Sequence, residues 1–366
     1  MTPEGKPGRY FSRLADGRVM CEVCPRLCRL REGQRGLCFV RQAAGGAIVL
    51  TTWGRSSGFC IDPIEKKPLN HFLPGSAVLS FGTAGCNLAC RYCQNWSISK
   101  SKEVDTVAEE ASPEAIAQAA RATGCRSVAF TYNDPVIFLE YAVEVASACR
   151  ELGVSTVAVT AGEINPMASV EFFGAMDAAN IDLKAFSDDF YRRLCSARLG
   201  PVLETLEYVA RETDVWLEIT TLLIPGENDS DAEISSLAEW VFERLGPSVP
   251  LHFTAFHPAF KMNHVAPTPR STLQRARRRA IDAGLRYVYT GNVHDEDGGS
   301  TVCHQCGSTL IGRDWYRLTR WAMDDNGRCA ECGEPCAGRF EPSPGRWGGA
   351  KAPGDSRRFP SLRNQP

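Results

Sequence analysis

No run of about 18 apolar residues occurs in the 366-residue chain, so no segment reads as a membrane span. Charge of either sign is not in excess. Lys and Arg total 41, Asp and Glu 43, for a net charge of −2, which gives no global attraction to nucleic acid or a membrane. The opening residues Met1-Thr2-Pro3-Glu4-Gly5-Lys6 contain no apolar h-region, so a signal peptide is not expected there and a cytoplasmic location follows by default. Hairpin signals are few, which argues against an all-β fold.

Cysteine, by contrast, is abundant, with 16 residues. In a reducing compartment these are not expected to be disulfides. Eleven fall into three groups with metal-ligand spacing, while Cys60, Cys125, Cys149, Cys195 and Cys336 stand alone. Single cysteines are read as small buried hydrophobes. The chain is 43% hydrophobic and 23% charged, close to the globular average, so it can bury a sizeable core.

The central group lies in Gly85-Cys86-Asn87-Leu88-Ala89-Cys90-Arg91-Tyr92-Cys93-Gln94-Asn95. Its pattern is C-x3-C-x2-C, with no fourth cysteine close behind. Three thiolates can hold three irons of a four-iron, four-sulfur cluster and leave the fourth iron open. A catalytic metal site keeps such a position free, whereas a structural one closes its sphere. The plainer alternative is a piece of a zinc site or three buried cysteines. Zinc knuckles come as C-x2-C pairs, and the next cysteine here is Cys125.

The N-terminal group, Cys21, Cys24, Cys28 and Cys38, has the spacing C-x2-C-x3-C-x9-C. Four thiolates suit either zinc or a second iron–sulfur cluster, and spacing does not choose between them. The C-terminal group is two C-x2-C-G knuckles, Cys303 with Cys306 and Cys329 with Cys332. Paired knuckles of this kind read as a zinc ribbon, with strands near Leu310–Ile311 and Trp315–Leu318.

Between these groups, short apolar runs alternate with helical patterns. Strands are expected at 77–82, 127–131, 154–160, 180–184, 215–223, 251–255 and 285–289. Helices are expected at 113–122, 135–150, 166–178, 188–212, 230–245 and 271–283. Repeated β-α units imply a parallel sheet with right-handed crossovers. Seven strands fall short of eight, so the expected fold is α/β, an open partial (β/α) barrel. The expected organisation is a Cys-rich module over 1–75, the partial barrel over 76–295, a zinc-ribbon module over 296–340 and a disordered tail over 341–366. Sites in such folds lie at the C-terminal ends of strands. There the sequence places the cysteine loop, Thr131-Tyr132-Asn133-Asp134-Pro135, Thr160 to Pro166, Asp182-Leu183-Lys184, Glu218 to Asp229, and His252 with His257. The polar stretch Asp62–Phe72 reads as a surface loop placed to cover the site. The arginines around Arg275–Arg279 read as a solvated face.

C-x3-C-x-aromatic-C resembles the signature of radical S-adenosylmethionine (SAM) enzymes. Four stretches together resemble the AmmeMemoRadiSam group, which is related to pyruvate formate-lyase activating enzymes. They are Asp62-Pro63-Ile64-Glu65-Lys66-Lys67-Pro68-Leu69, Gly85 to Trp96, Asn180-Ile181-Asp182-Leu183-Lys184 and Phe256-His257-Pro258. The resemblance implies a 4Fe-4S cluster on Cys86, Cys90 and Cys93, with SAM on the open iron. Reductive cleavage of SAM then yields methionine and a 5′-deoxyadenosyl radical that abstracts hydrogen from a substrate. It also implies contacts to SAM: Asp134, beside Asn133, to the ammonium, Lys184 to the carboxylate, His257 to nucleoside or carboxylate, and Tyr92 to adenine. The expected partners are an electron donor such as flavodoxin or ferredoxin and a protein substrate. Two other readings stay open, radical modification of RNA or a nucleotide, and a non-catalytic iron–sulfur and zinc protein of electron transfer or assembly.

Overall fold

The computed structural model describes residues 5–100 and 109–347. Seven parallel strands occur in chain order across one open sheet. They are β1 (Ala77–Gly82), β2 (Ser127–Phe130), β3 (Ser155–Thr160), β4 (Ala178–Asp182), β5 (Trp216–Leu223), β6 (Leu251–Ala255) and β7 (Val288–Gly291). All of β1, β2 and β6 is buried, as strands covered on both faces must be. Phe81 and Phe130 meet edge to face at 5.5 Å, and the helical Phe138 and Tyr141 close over Phe81. Each such ring adds burial of roughly 2–3 kcal/mol to the core.

The helices are α1 (Pro113–Ala122), α2 (Leu139–Glu151), α3 (Pro166–Gly174), α4 (Leu199–Glu212), α5 (Asp231–Leu245) and α6 (Arg270–Asp282). Ser112 and Ser230 cap α1 and α5, accepting from Ala115 N and Glu233 N, the role a serine fills best. The expected helix over 188–212 is broken. Asp188–Phe190 runs into a π-turn, Tyr191–Cys195, and Ser196 then takes φ +54°. The carbonyls of Leu194 and Cys195 are turned to amides of the cysteine loop, so tertiary bonding replaces the continuation of the helix.

The Gly- and Ser-rich stretch around Gly58 is a strand. Arg55–Pro63 is a nine-residue strand, antiparallel to β1, with a register shift between Ser57 and Cys60. Gly58, at φ +71°, sits at that bulge, which is why a turn-like composition conceals a strand.

The N-terminal module folds as two three-stranded antiparallel sheets. The ribbon forms a hairpin, Thr309–Asp314 with Arg317–Trp321. Part of the expected tail is ordered against the barrel: Gly345 N and Trp347 N donate to Pro74 O and Gly75 O, both at 2.9 Å. The expectation for 348–366 lies outside the described residues.

Candidate active site

The C-terminal ends of the parallel strands open on one cavity of about 310 Å³. Cys86, Cys90 and Cys93 line it together with Tyr92, Asn133, Asp134 and Lys184. The structure therefore gathers seven of the eight residues expected there. His257 is not one of them. It is exposed, and its Nε2 stands 3.3 Å from the carbonyl of Asn292, which itself lines the cavity.

The cysteine loop is held from three sides. Asn133 grips its root, donating to Gly85 O at 2.8 Å and accepting from Thr83 N at 3.2 Å. Ala89 N and Arg91 N donate to Cys195 O and Leu194 O, both at 2.9 Å. Lys100 Nζ donates to Leu88 O at 2.7 Å. Gly85 takes φ +86°, and a Cβ there would run into the Cys38 carbonyl. Burial pushes the Cys86 thiol up to about 12, so it stays protonated until a bound metal cation displaces the proton.

Asp134 is buried and accepts from Thr160 Oγ1 at 2.8 Å, Val136 N at 3.2 Å and Ala161 N at 3.3 Å. Burial pushes its carboxyl up to about 6. It forms no ion pair among the described residues, so this carboxylate has room for a cationic ligand. Lys184 lies just past β4 and pairs with Asp182 at 2.7 Å. Burial alone would lower Lys184, but Asp182 and the thiols of Cys90 and Cys195 hold it well above the usual lysine range.

The stretch expected to cover the site does reach it. Lys66, Lys67 and Pro68 line the cavity, and both lysines bond Asp62 at 2.7 Å. Its other end is anchored on β5. Asn70 N and His71 N donate to Glu218 at 3.0 and 2.7 Å, and Arg313 of the ribbon donates to Asn70 O at 2.7 Å. His252, expected at the rim, instead pairs with the buried Glu218 at 2.6 Å.

Sequence reading placed Thr160 at the rim but assigned no site role to Cys195 or Asn292. Cys195 carries no local signal, being one cysteine 102 residues after Cys93. In the fold its sulfur lies 3.2 Å from the Tyr92 hydroxyl and beside Cys90.

Sulfur spacing separates the three cysteine groups. All sixteen cysteines are free thiols. In the ribbon, Cys303 and Cys332 lie 3.7 Å apart, as do Cys306 and Cys329. Zinc–sulfur bonds of about 2.3 Å put tetrahedral sulfurs about 3.8 Å apart. The turns match too: Gly307 and Gly333 have φ +78° and +76°, and each donates back to the first cysteine of its knuckle. Apart from the ribbon, the described residues hold one other trio of ligand atoms mutually within 4.8 Å, the largely exposed His294, Glu296 and Asp314. Cys86, Cys90 and Cys93 do not form such a compact group. Thiolates on separate irons of a cubane stand on the order of 6 Å apart.

A profile described as the Radical SAM superfamily matches residues 81–238. The uncharacterized protein MJ0808 of Methanocaldococcus jannaschii is 38% identical over 328 residues, 89% of this chain and 97% of that protein. The chain belongs to the radical SAM superfamily. A domain of pyruvate-formate lyase-activating enzyme from Bacteroides vulgatus superposes with TM-score 0.41 at 19% identity, covering 45% of this chain and 99% of that one. A radical SAM methyltransferase from Sphaerobacter thermophilus does so with TM-score 0.47 at 15% identity, covering 84% and 82%. Radical SAM proteins are enzymes, and the family implies a 4Fe-4S cluster and SAM. The site fits both groups. Three cysteines line one cavity, and a buried carboxylate with no ion pair and a buried ammonium line it with them. No helix among the described residues is long and apolar enough to cross a membrane.

Proposed function

We propose that this radical SAM chain is an enzyme of the AmmeMemoRadiSam group that abstracts hydrogen from a protein or peptide. What supports the reading is the convergence of Cys86, Cys90, Cys93, Asp134 and Lys184 on one cavity. When bound, the cluster and SAM supply a carbon radical from reductive cleavage of the sulfonium. The chain's own part is to bind, orient and exclude water. Cys86, Cys90 and Cys93 hold the cluster. Asp134 takes the SAM ammonium and Lys184 its carboxylate, exchanging part of its bond to Asp182. Tyr92, held by Phe190 and Cys195, borders the cluster side of the cavity. Lys66 and Pro68 close the outer side.

A protein substrate suits the rim. Trp96, about half exposed, stacks on Phe260 at 5.8 Å just beyond the cysteine loop, an apolar patch against which side chains of a peptide can pack. The arginines of α6 lend the RNA alternative no support: Arg275 and Arg279 both bond Asp231, and Arg277 donates to Val288 O. The C-terminal cysteines hold zinc in this reading, a structural ion joined to the barrel through Arg313. The test is anaerobic reconstitution, reduction and assay of 5′-deoxyadenosine. Wild type forms it and Cys90→Ala does not; equal product from both sinks the proposal. Deuterium transfer from labelled peptide to 5′-deoxyadenosine, against labelled RNA, reports the substrate class.

A further inference from the structure

Cys21, Cys24, Cys28 and Cys38 line one largely enclosed pocket with Val23, Val136 and Ile137. Cys21 and Cys38 are buried, while Cys24 and Cys28 are half-buried. The two chain segments converge at Gly36, where a Cβ would stand 3.6 Å from the Cys38 sulfur and 3.7 Å from that of Cys28. Leu27 and Phe39, the residues beside Cys28 and Cys38, hold φ +46° and +71°. Non-glycine residues enter that region at a cost of about 1–3 kcal/mol when something over-determines the loop.

The chain carries its own standards for what such a pocket holds. The ribbon sulfurs cluster at zinc spacing. No three sulfurs of the N-terminal set come within 4.8 Å of one another. They also lack the knuckle glycines of the ribbon. A second observation points the same way. Arg41 lines the pocket at 2% exposure, and its Nε has no hydrogen-bond partner among the described residues. Its terminal nitrogens are bound to Glu140 at 2.8 Å. A buried unpaired N–H is rare and calls for an acceptor. The sulfurs of a cluster bind such donors.

The pocket also abuts the active site. Asn87 lines it, while the adjacent Cys86 lines the SAM cavity. Arg26 donates to Asn87 O at 2.8 Å, and Cys38 O packs on Gly85. On its outer side, Leu27 and Leu37 are 42% and 50% exposed, beside Cys28 and Cys38.

We propose that Cys21, Cys24, Cys28 and Cys38 hold a second iron–sulfur cluster that relays electrons to the centre at Cys86, Cys90 and Cys93. A low-potential one-electron donor protein reduces the outer cluster. That cluster is then reoxidised as the inner one is reduced, with one electron moved and no bond or proton exchanged. The relay half rests on the radical SAM reading of the inner site; the metal content does not.

The test uses the full chain, reconstituted anaerobically with iron and sulfide. Wild type is expected to hold about eight irons as two cubanes, and Cys86→Ala/Cys90→Ala/Cys93→Ala about four. The triple variant should still give a 4Fe-4S Mössbauer spectrum. About four irons in wild type, with two zinc per chain and none of that iron in the triple variant, overturns the proposal. For the relay, Cys24→Ser/Cys28→Ser should lower the ratio of donor-driven to dithionite-driven SAM cleavage at least tenfold. An unchanged ratio removes the relay. If this variant does not fold, the iron count and spectrum of the triple variant decide. Failure of wild type to cleave SAM with dithionite would instead count against the proposed function.

Discussion

The Tyr92 hydroxyl and the Cys195 sulfur stand 3.2 Å apart, with Cys90 beside both. Cys195 closes a π-turn, an element that recurs at functional sites. Its carbonyl anchors Ala89 N, so one residue fixes the loop by its backbone and faces a cluster ligand with its thiol. Hydrogen bonds to cluster sulfurs help set their potential. A donor stabilises the more negative, reduced form. Cys195→Ala keeps the backbone bonds and removes the donor. The inner cluster's potential should therefore fall by roughly 40 mV, the one-electron equivalent of a hydrogen bond of ~1 kcal/mol. Cys195→Ser should restore most of it. Spectroelectrochemical titration reads both, and an unchanged potential in the alanine variant refutes the role.

Asp134 gives a prediction with a pH sign. Its carboxyl is raised by burial from 3.8 to about 6. The folded chain then binds this proton more tightly than the unfolded chain does. The stability it contributes is full below about 4 and is lost as pH rises through about 6. Above that, the buried charge costs up to about 3 kcal/mol. Asp134→Asn should stabilise the metal-free protein by about 1–3 kcal/mol at pH 8 and hardly at all near pH 4. The same variant should bind SAM at least about tenfold more weakly, ~1.4 kcal/mol, by calorimetry. Gain of stability with loss of binding marks a residue kept for its ligand.

Local chemistry made part of this legible in the sequence. Cys86, Cys90 and Cys93 must share one loop, so their spacing survives in the primary structure. The strands could be found because Ala77–Gly82 and Leu251–Ala255 are buried throughout and read as short apolar runs. The misses are long-range. Cys195 meets Tyr92 across 103 residues and Arg313 meets Asn70 across 243, and no periodicity records either. His252 reads the same whether it faces a rim or a buried Glu218. The strand Arg55–Pro63 was hidden because a bulge needs the glycine that a turn needs.

The ribbon is predicted to support the barrel rather than hang from it. His71 Nδ1 meets Ala337 O at 2.5 Å, and its Nε2 meets the Tyr289 hydroxyl of β7. Stripping the zinc proposed for the ribbon should remove several kcal/mol of its folding energy and loosen the segment it clasps. Calorimetry with and without a zinc chelator should show the main transition falling, not merely a small separate one. A main transition that stays fixed would mean that the ribbon folds independently.

Glu218 ties these parts together from a position with no exposure. Its carboxylate accepts from Asn70 N, His71 N, Trp216 Nε1 and His252 Nε2 at 2.6–3.0 Å. Burial would raise this carboxyl, but His252 and then His71 more than offset it, so it sits below the usual range. A lowered carboxyl contributes stability above its ordinary value near 4.5 and loses it as pH falls through the folded value. Glu218→Ala leaves four donors without an acceptor, which should cost about 3–5 kcal/mol. Glu218→Gln keeps the shape, retains one acceptor and should cost about half as much. Because Asn70 and His71 end the segment that carries Lys66, Lys67 and Pro68 to the cavity, the glutamine variant should raise the KM for substrate more than it lowers kcat. Urea midpoints at pH 7 and pH 3 test the stability, and steady-state assays test the split. A glutamine variant with wild-type stability and unaltered KM would show that Glu218 neither braces the fold nor sets the lid.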